Sequence, residues 1–195
     1  MKELEDQRLL QDLREGRSEA CATLVRRHYQ AVYRFLVHLT RDVPTAEDLT
    51  QETFAAAWEK LATFQGRSTL ATWLHRIAYT KFIDAQRAGR RAARIHASLE
   101  PPRIGPSDPL DVAMAEDEAQ RLHRALDTLE APERTLLVLH YLQGLSYRDM
   151  ASVLDEPTGT VKWRTAEALK QLRIQLGEEV HDHAFRTTAE SGPIC

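Results

Sequence analysis

The sequence predicts an all-α protein made of two small helical domains joined by an extended linker. Three observations lead there. Apolar residues recur at helical spacing through most of the chain. No stretch alternates apolar and polar residues as a half-buried strand does. One segment dense in proline interrupts the helical pattern between the two halves. A length of 195 residues suits one large or two small domains, and 43% hydrophobic with 28% charged residues is enough to build a core in water.

The first long helix is marked by Val25, Tyr29, Val32, Leu36 and Leu39, spaced by four, three, four and three residues, with Ser18 as its expected N-cap. After the break DVPT, Thr45 and Asp48 have the spacing of a capping box. Glu47 adds negative charge at the positive end of that helix dipole. The apolar set of this second helix is Leu49, Phe54, Trp58 and Leu61. Beyond FQGRST a third helix is expected from Ala71 to Ala88, burying Leu70, Trp73, Leu74, Ile77 and Ala78, with Gly89 as its stop.

The helical pattern then fails. SLEPPRIGPSDPLDVA contains Pro101, Pro102, Pro106, Pro109 and Gly105, so it reads as linker or extended chain. Between Ala92 and Asp117, five acids less two bases give −3, equal to the formal charge of the whole chain. Helical spacing resumes at Leu122, Leu126 and Leu129. Pro132 fits the first turn of a further helix, followed by Leu136, Leu137, Leu139 and Leu142. The boundaries that follow are residues 1–91, a linker at 92–117, a second domain at 118–177, and a polar tail at 178–195 expected to be partly disordered.

In GLSYRDMASVLDEPTGTVKWR, Gly144 ends the preceding helix, and Ser146 with Asp149 caps a short helix that reaches Leu154. Asp155, Glu156 and Pro157 form a tight connection, and a second helix starts near Thr158. Two short helices across such a turn match a helix-turn-helix, whose second helix enters the DNA major groove. The residues at that tip are Thr158, Thr160, Lys162, Trp163 and Arg164. Arg164 suits guanine, Lys162 suits phosphate or guanine, and Trp163 offers an apolar surface to a thymine methyl. The bland alternative is a helical hairpin in a bundle.

Two further stretches bear on function. From Phe64 to Arg94, seven bases less one acid give +6, with Phe64, Trp73, Tyr79 and Phe82 interleaved. Cations beside flat rings are what single-stranded DNA needs, although the same rings also suit a core. On TAEDLTQETFAAAW, Asp48, Gln51 and Glu52 share one helical side. With no histidine or further acid at suitable spacing, a protein-binding face fits that side better than catalysis or metal binding. No phosphate loop, nucleophile elbow or close acid/base pair is visible, so neither enzyme activity nor a cofactor is expected. His181, His183 and Cys195 in the tail form only a weak metal motif. The N-terminus lacks a signal-like apolar segment and no apolar run approaches the roughly 20 residues of a membrane helix, so a cytoplasmic location without membrane insertion is expected.

In this order the motifs resemble the bacterial extracytoplasmic-function sigma factors, small specificity subunits of RNA polymerase. TAEDLTQETFAAAW resembles that family's region 2.2, FQGRSTLATWLHRIAYTKFIDAQR its regions 2.3 and 2.4, and ALDTLEAPERTLLVLHYLQGLSYRDMASVLDEPTGTVKWR its region 4. The resemblance implies that Glu47, Asp48, Gln51, Glu52, Phe54 and Trp58 face the coiled coil of the polymerase's largest subunit, with the flap as a second polymerase contact. It implies that Gln65, Gly66, Arg67, Ser68 and Thr69 wall a pocket for a flipped −10 base. Trp73, Arg76, Ile77, Thr80, Lys81 and Asp84 would then line the path of the opened single strand. It implies that Ser146, Tyr147 and Arg148, with Thr158, Thr160, Lys162, Trp163 and Arg164, read the −35 element as duplex. An anti-sigma factor is the implied regulator. Glu130, Trp163 and Thr165-Ala166-Glu167 depart from the family's usual residues.

Overall fold

The computed structural model describes residues 8–13, 15, 17–95, 122 and 124–176. The segment 96–121 and the tail from 177 onward lie outside them, and with them most of the expected linker and the His181, His183 and Cys195 motif. The described residues are helical and contain no strand.

Helix α1 spans Ser18–Thr40 and ends at Arg41 in the left-handed region. Its N-cap position is Arg17 and makes no side-chain cap bond, so the start falls one residue before the expected cap at Ser18. The buried face is Leu24, Val32, Phe35, Leu36 and Leu39, while Val25 is exposed. A stripe spaced by an average of 3.5 residues drifts around a helix of period 3.6 by about 20° per heptad. Over two heptads that drift carries Val25 off the core and brings Leu24 onto it.

Helix α2 spans Val43–Lys60, with Pro44 in its first turn and Asp42 as N-cap. The Asp42 carboxylate accepts from the Thr45 amide at 2.9 Å, and that bonding holds its pKa below the usual carboxylate value. The expected box at Thr45 and Asp48 is thus replaced by a cap three residues earlier. Pro44 already has the φ a first helical turn needs, so Thr45 falls inside the helix. The buried side of α2 is small: Ala46, Leu49, Thr50, Thr53, Ala56 and Ala57. Thr50 and Thr53 satisfy their buried hydroxyls by donating to the carbonyls of Ala46 and Leu49, each at 2.7 Å. Trp58, expected on the apolar face, is 52% exposed.

A single 3-10 turn, Leu61–Thr63, leads to the loop before helix α3, which spans Leu70–Ile95. Thr69 caps α3 by accepting from the Thr72 amide at 3.1 Å. The helix runs through Gly89 to Ile95 rather than stopping there. Arginine and alanine on both sides are strong helix formers, and they outweigh the cost of about 1 kcal/mol for one interior glycine.

In the second half, helix α4 spans Ala131–Leu137 with Pro132 in its first turn, and continues as a π-helical turn over Val138–Leu142. Gly144 takes φ +68°, the left-handed region that ends this run. Helix α5, Tyr147–Leu154, and helix α6, Thr158–Gln175, form the helix-turn-helix. Asp155, at φ 57°, closes α5.

The two halves do not stand apart. One apolar cluster contains Val32, Phe35, Leu36, Leu70, Leu74 and Ala78 from the first half and Leu136, Leu139, Leu145, Met150, Val153 and Val161 from the second. A smaller cluster of Ala125, Leu126, Leu129, Leu137, Ala168 and Leu172 holds the second half together internally.

Candidate polymerase and promoter DNA interfaces

Helix α2 presents Glu47, Asp48, Gln51 and Glu52 to solvent on one side. The small residues on its opposite side let it lie close against its neighbours, which fixes the direction of the acidic face. Phe54 is half-buried and stacks on Tyr29 at 6.0 Å between centroids, and Tyr29 stacks in turn on Tyr33 at 6.1 Å. Phe54 therefore orients the face and offers only part of its ring, whereas Trp58 projects outward. Glu52 accepts from the Lys81 ammonium at 3.0 Å, an ion pair that ties the acidic face to α3.

The loop between α2 and α3 is anchored at both ends. Phe64 is buried and packs on Trp73 at 4.8 Å, and Thr69 is fixed by its capping bond. Between them Gln65, Gly66 and Arg67 are exposed and Ser68 is half-buried. Gly66 has φ +71° with open space around its Cα, a turn that few other residues adopt. An exposed loop held at two fixed points can present polar groups to a base without collapsing onto it.

Along α3 the predicted strand path divides. Arg76, Thr80 and Asp84 are exposed, while Trp73 and Lys81 are half-buried. Ile77 is 7% exposed and belongs to the core cluster, so in this arrangement it packs inward. Thr72 and His75, which sequence reasoning missed, lie on the neighbouring stripe and are nearly fully buried. The His75 Nδ1 donates to the Ala71 carbonyl at 2.8 Å, and Nε2 lies 3.3 Å from the Gln143 side-chain amide. Burial holds this imidazole below its usual pKa, against the opposing pull of its hydrogen bonds.

At the helix-turn-helix, the Ser146 hydroxyl accepts from the Asp149 amide at 3.2 Å and donates to the Asp149 carboxylate at 2.5 Å. The expected cap is present. Tyr147 stacks on His140 at 4.6 Å, and Arg148 is exposed. Met150, Val153 and Val161 lock α5 and α6 together from within. At the tip, Thr158, Thr160 and Lys162 are exposed, and Trp163 is 67% exposed, so it is not a core residue. Arg164 is occupied: it donates to Glu156 at 2.6 Å and lies 3.9 Å from Glu133. Its guanidinium braces the turn and α4 against the recognition helix. The signal for this was present in the sequence as acids at Glu133 and Glu156, but their approach to Arg164 depends on the hairpin's geometry.

Among the described residues no group of histidine, cysteine, aspartate and glutamate could hold a metal ion, and no helix is long and apolar enough to cross a membrane.

Comparison with known proteins gives the same two-part organisation. The family model for Sigma-70 region 2 matches residues 24–92, and that for Sigma-70, region 4 matches residues 119–172. The RNA polymerase sigma-H factor of Pseudomonas aeruginosa is 31% identical over 173 residues, covering 84% of this chain and 90% of that protein. The ECF RNA polymerase sigma-E factor of Haemophilus influenzae is 31% identical, covering 89% of this chain and 96% of that protein. Among solved structures, the sigma factor RpoE of Bartonella quintana, in complex with the anti-sigma factor NepR, superposes with a TM-score of 0.68. It is 27% identical and covers 76% of this chain and 91% of that one. CnrH, in complex with the cytosolic domain of CnrY, superposes with a TM-score of 0.66 at 27% identity, covering 88% of this chain and 97% of that one. The chain belongs to the ECF RNA polymerase sigma factors.

Proposed function

We propose that this chain binds core RNA polymerase and directs it to promoters, with residues 1–91 engaging polymerase and opening the −10 element and residues 118–177 reading the −35 element. The observation that carries the reading is one chain presenting three separate surfaces: an exposed acidic side on α2, a base-rich α3, and a capped helix-turn-helix with a free tip. A solitary operator-binding regulator needs only the last.

The acidic side, Glu47, Asp48, Gln51 and Glu52 with Trp58, suits a basic partner surface; Phe54 supports it from behind. The anchored loop from Gln65 to Thr69 suits capture of an unstacked base, and Arg76, Thr80 and Lys81 supply polar and cationic groups beside it. Within the helix-turn-helix, Thr158, Thr160, Lys162 and Trp163 are the direct readers. Arg148 is placed for phosphate, and Arg164 positions the reading helix. One structural neighbour was solved in complex with an anti-sigma factor, and we infer that this chain too is regulated by one. No catalytic site of its own enters this reading.

Core polymerase reconstituted with the chain on genomic DNA, followed by sequencing of the transcripts, tests it. Initiation should cluster at positions sharing two short elements. Asp48→Arg should abolish co-purification with core polymerase while leaving the helical circular dichroism unchanged. Initiation at no preferred position, or association that survives Asp48→Arg and the triple change of Glu47, Gln51 and Glu52 to lysine, would overturn the reading. The free chain should bind promoter DNA weakly, because too few cations reach phosphate without polymerase.

A further inference from the structure

The run that leads into the helix-turn-helix changes its winding before it ends. Helix α4 passes into a π-helical turn over Val138–Leu142, where each bond spans one residue more than in an α-helix. The side chains of Leu136, Leu137, Val138 and Leu139 are all buried, whereas Tyr141 and Leu142 are exposed. Between these two groups stands His140, half-buried. Single π turns within helices are concentrated at functional sites, and this one lies four residues ahead of the cap of α5.

The His140 imidazole makes three contacts there. Its Nδ1 donates to the Leu145 carbonyl at 3.0 Å. Its face stacks on the Tyr147 ring, with 4.6 Å between centroids and 18° between planes. Tyr141 meets it edge-on at 4.8 Å. Leu145 is held from the other side as well, because its amide donates to the Leu139 carbonyl at 3.0 Å across Gly144. Both polar backbone groups of this buried residue are therefore satisfied. Ser146 follows as the cap of α5, and Tyr147 and Arg148 are the first two residues of that helix. One side chain reaching forward from the π turn thus locates the first turn of α5.

We propose that His140 is a positioning residue for −35 recognition: by bridging the π turn to the first turn of α5, it holds Arg148 against a phosphate of the −35 duplex. Arg148 is exposed, and its guanidinium gains from a phosphate only within about 3 Å. That contact depends on where the backbone beneath Arg148 sits. The stack on Tyr147 cannot set it alone. Offset rings tolerate centroid separations of about 4.5–7 Å, whereas a hydrogen bond fixes its distance to within a few tenths of an ångström. The donor at Nδ1 is what pins the turn, and the ring beside Tyr147 keeps water from the carbonyl it holds. The proposal rests on reading the helix-turn-helix as the −35 reader.

The salt dependence of promoter binding provides the test, because each phosphate contact adds about 0.9 to the slope of log affinity against log salt. Holoenzyme made with the full chain is titrated onto promoter DNA between about 50 and 200 mM salt. His140→Phe keeps a ring against Tyr147 and removes the donor. His140→Asn keeps an N–H donor near the place of Nδ1 and removes the ring. Arg148→Met removes the cation. Arg148→Met should lower the slope by about 0.9, His140→Phe should lower it equally, and the two together should lower it no further. His140→Asn should keep the wild-type slope. A role in folding alone would lower the urea midpoint of His140→Phe and leave its slope unchanged, which overturns the proposal. An Arg148→Met slope equal to the wild type overturns it too, as does an additive loss in the double variant or a His140→Asn slope matching His140→Phe. A wild-type holoenzyme indifferent to the −35 element refutes the proposed function, whereas preference for that element with a slope unmoved by His140→Phe refutes this inference alone.

Discussion

Trp163 offers the sharpest test of how the recognition helix reads DNA. It is 67% exposed, the most exposed of the large apolar side chains in the described residues, and it sits in the second turn of α6 beside Lys162. A tryptophan side chain buries roughly 200 Å² when covered, so at 67% exposure about 130 Å² remains open. If a groove wall covers half of that, about 65 Å² leaves water, worth about 1.6 kcal/mol at ~25 cal/mol per Å². That is a factor of about 15 in affinity. The thymine methyl contributes about 0.8 kcal/mol of it, or about fourfold, by the value of one buried carbon. The assay is selection of −35 sequences by holoenzyme from a randomised library, followed by competition on the selected promoter. Trp163→Ser should weaken promoter binding by about 15-fold and lose preference at one position. Replacing the thymine there by uracil should cost the wild type about fourfold and the variant nothing. Equal selection by both proteins, or indifference of the wild type to uracil at every thymine, would refute the reasoning. Trp163 would then be an apolar surface for something other than DNA.

Four other outcomes follow from single contacts. Arg164→Met should destabilise the chain by about 1–3 kcal/mol in urea titration, because Glu156 loses its charged partner in a half-buried turn. Its cost should be less than additive with Glu156→Gln, because both changes remove the same contact. Ser146→Ala should cost about 1 kcal/mol through the lost cap of α5. Met150→Ala should cost about 2–5 kcal/mol and should lower one common unfolding transition, because Met150 lies in a core to which both halves contribute. His75 is held below its ordinary pKa of 6.5, so folding favours its neutral form. The stability it lends is full above pH 6.5 and is lost as pH falls through the lower folded value. Urea titrations from pH 7.5 to 5 should show a fall for the wild type that His75→Gln lacks.

Local chemistry was legible in the sequence, and long-range chemistry was not. Gly144, the Ser146–Asp149 cap, Pro132 in the first turn of α4 and the tight turn at Asp155 to Pro157 all act within a few residues, and each is where the sequence places it. The misplaced start of α2 is also local: Asp42 competes with Thr45 for the cap, and Pro44 decides between them. Gly89 misled because a glycine stops a helix only when its neighbours are weak helix formers. The charge of Arg164 is visible in the sequence, whereas its two glutamate partners come from a neighbouring turn and helix. The contact between the two halves was invisible for the same reason. Thr72 and Asp149 are 77 residues apart, and neither departs from what a cap position normally holds.

The same distinction explains how a chain of net charge −3 can handle DNA. Screening limits the reach of a surface charge to about 8–10 Å at physiological salt. The acids of residues 92–117 therefore cannot cancel a basic surface more than that distance away, and the net charge says little about any one face. What matters is which acids stand within reach of α3. Of these, Glu52 pairs with Lys81, and Asp155 lies beside Arg76. The first pair joins α2 to α3 within the first half of the chain. The second joins the two halves, and with side chains 51% and 90% exposed it is open to screening by salt. Salt weakens these exposed pairs and the phosphate contacts of a promoter complex alike. Promoter binding by the holoenzyme should therefore fall steadily as salt rises, and affinity that stays level between about 50 and 200 mM salt would refute this account of the charges.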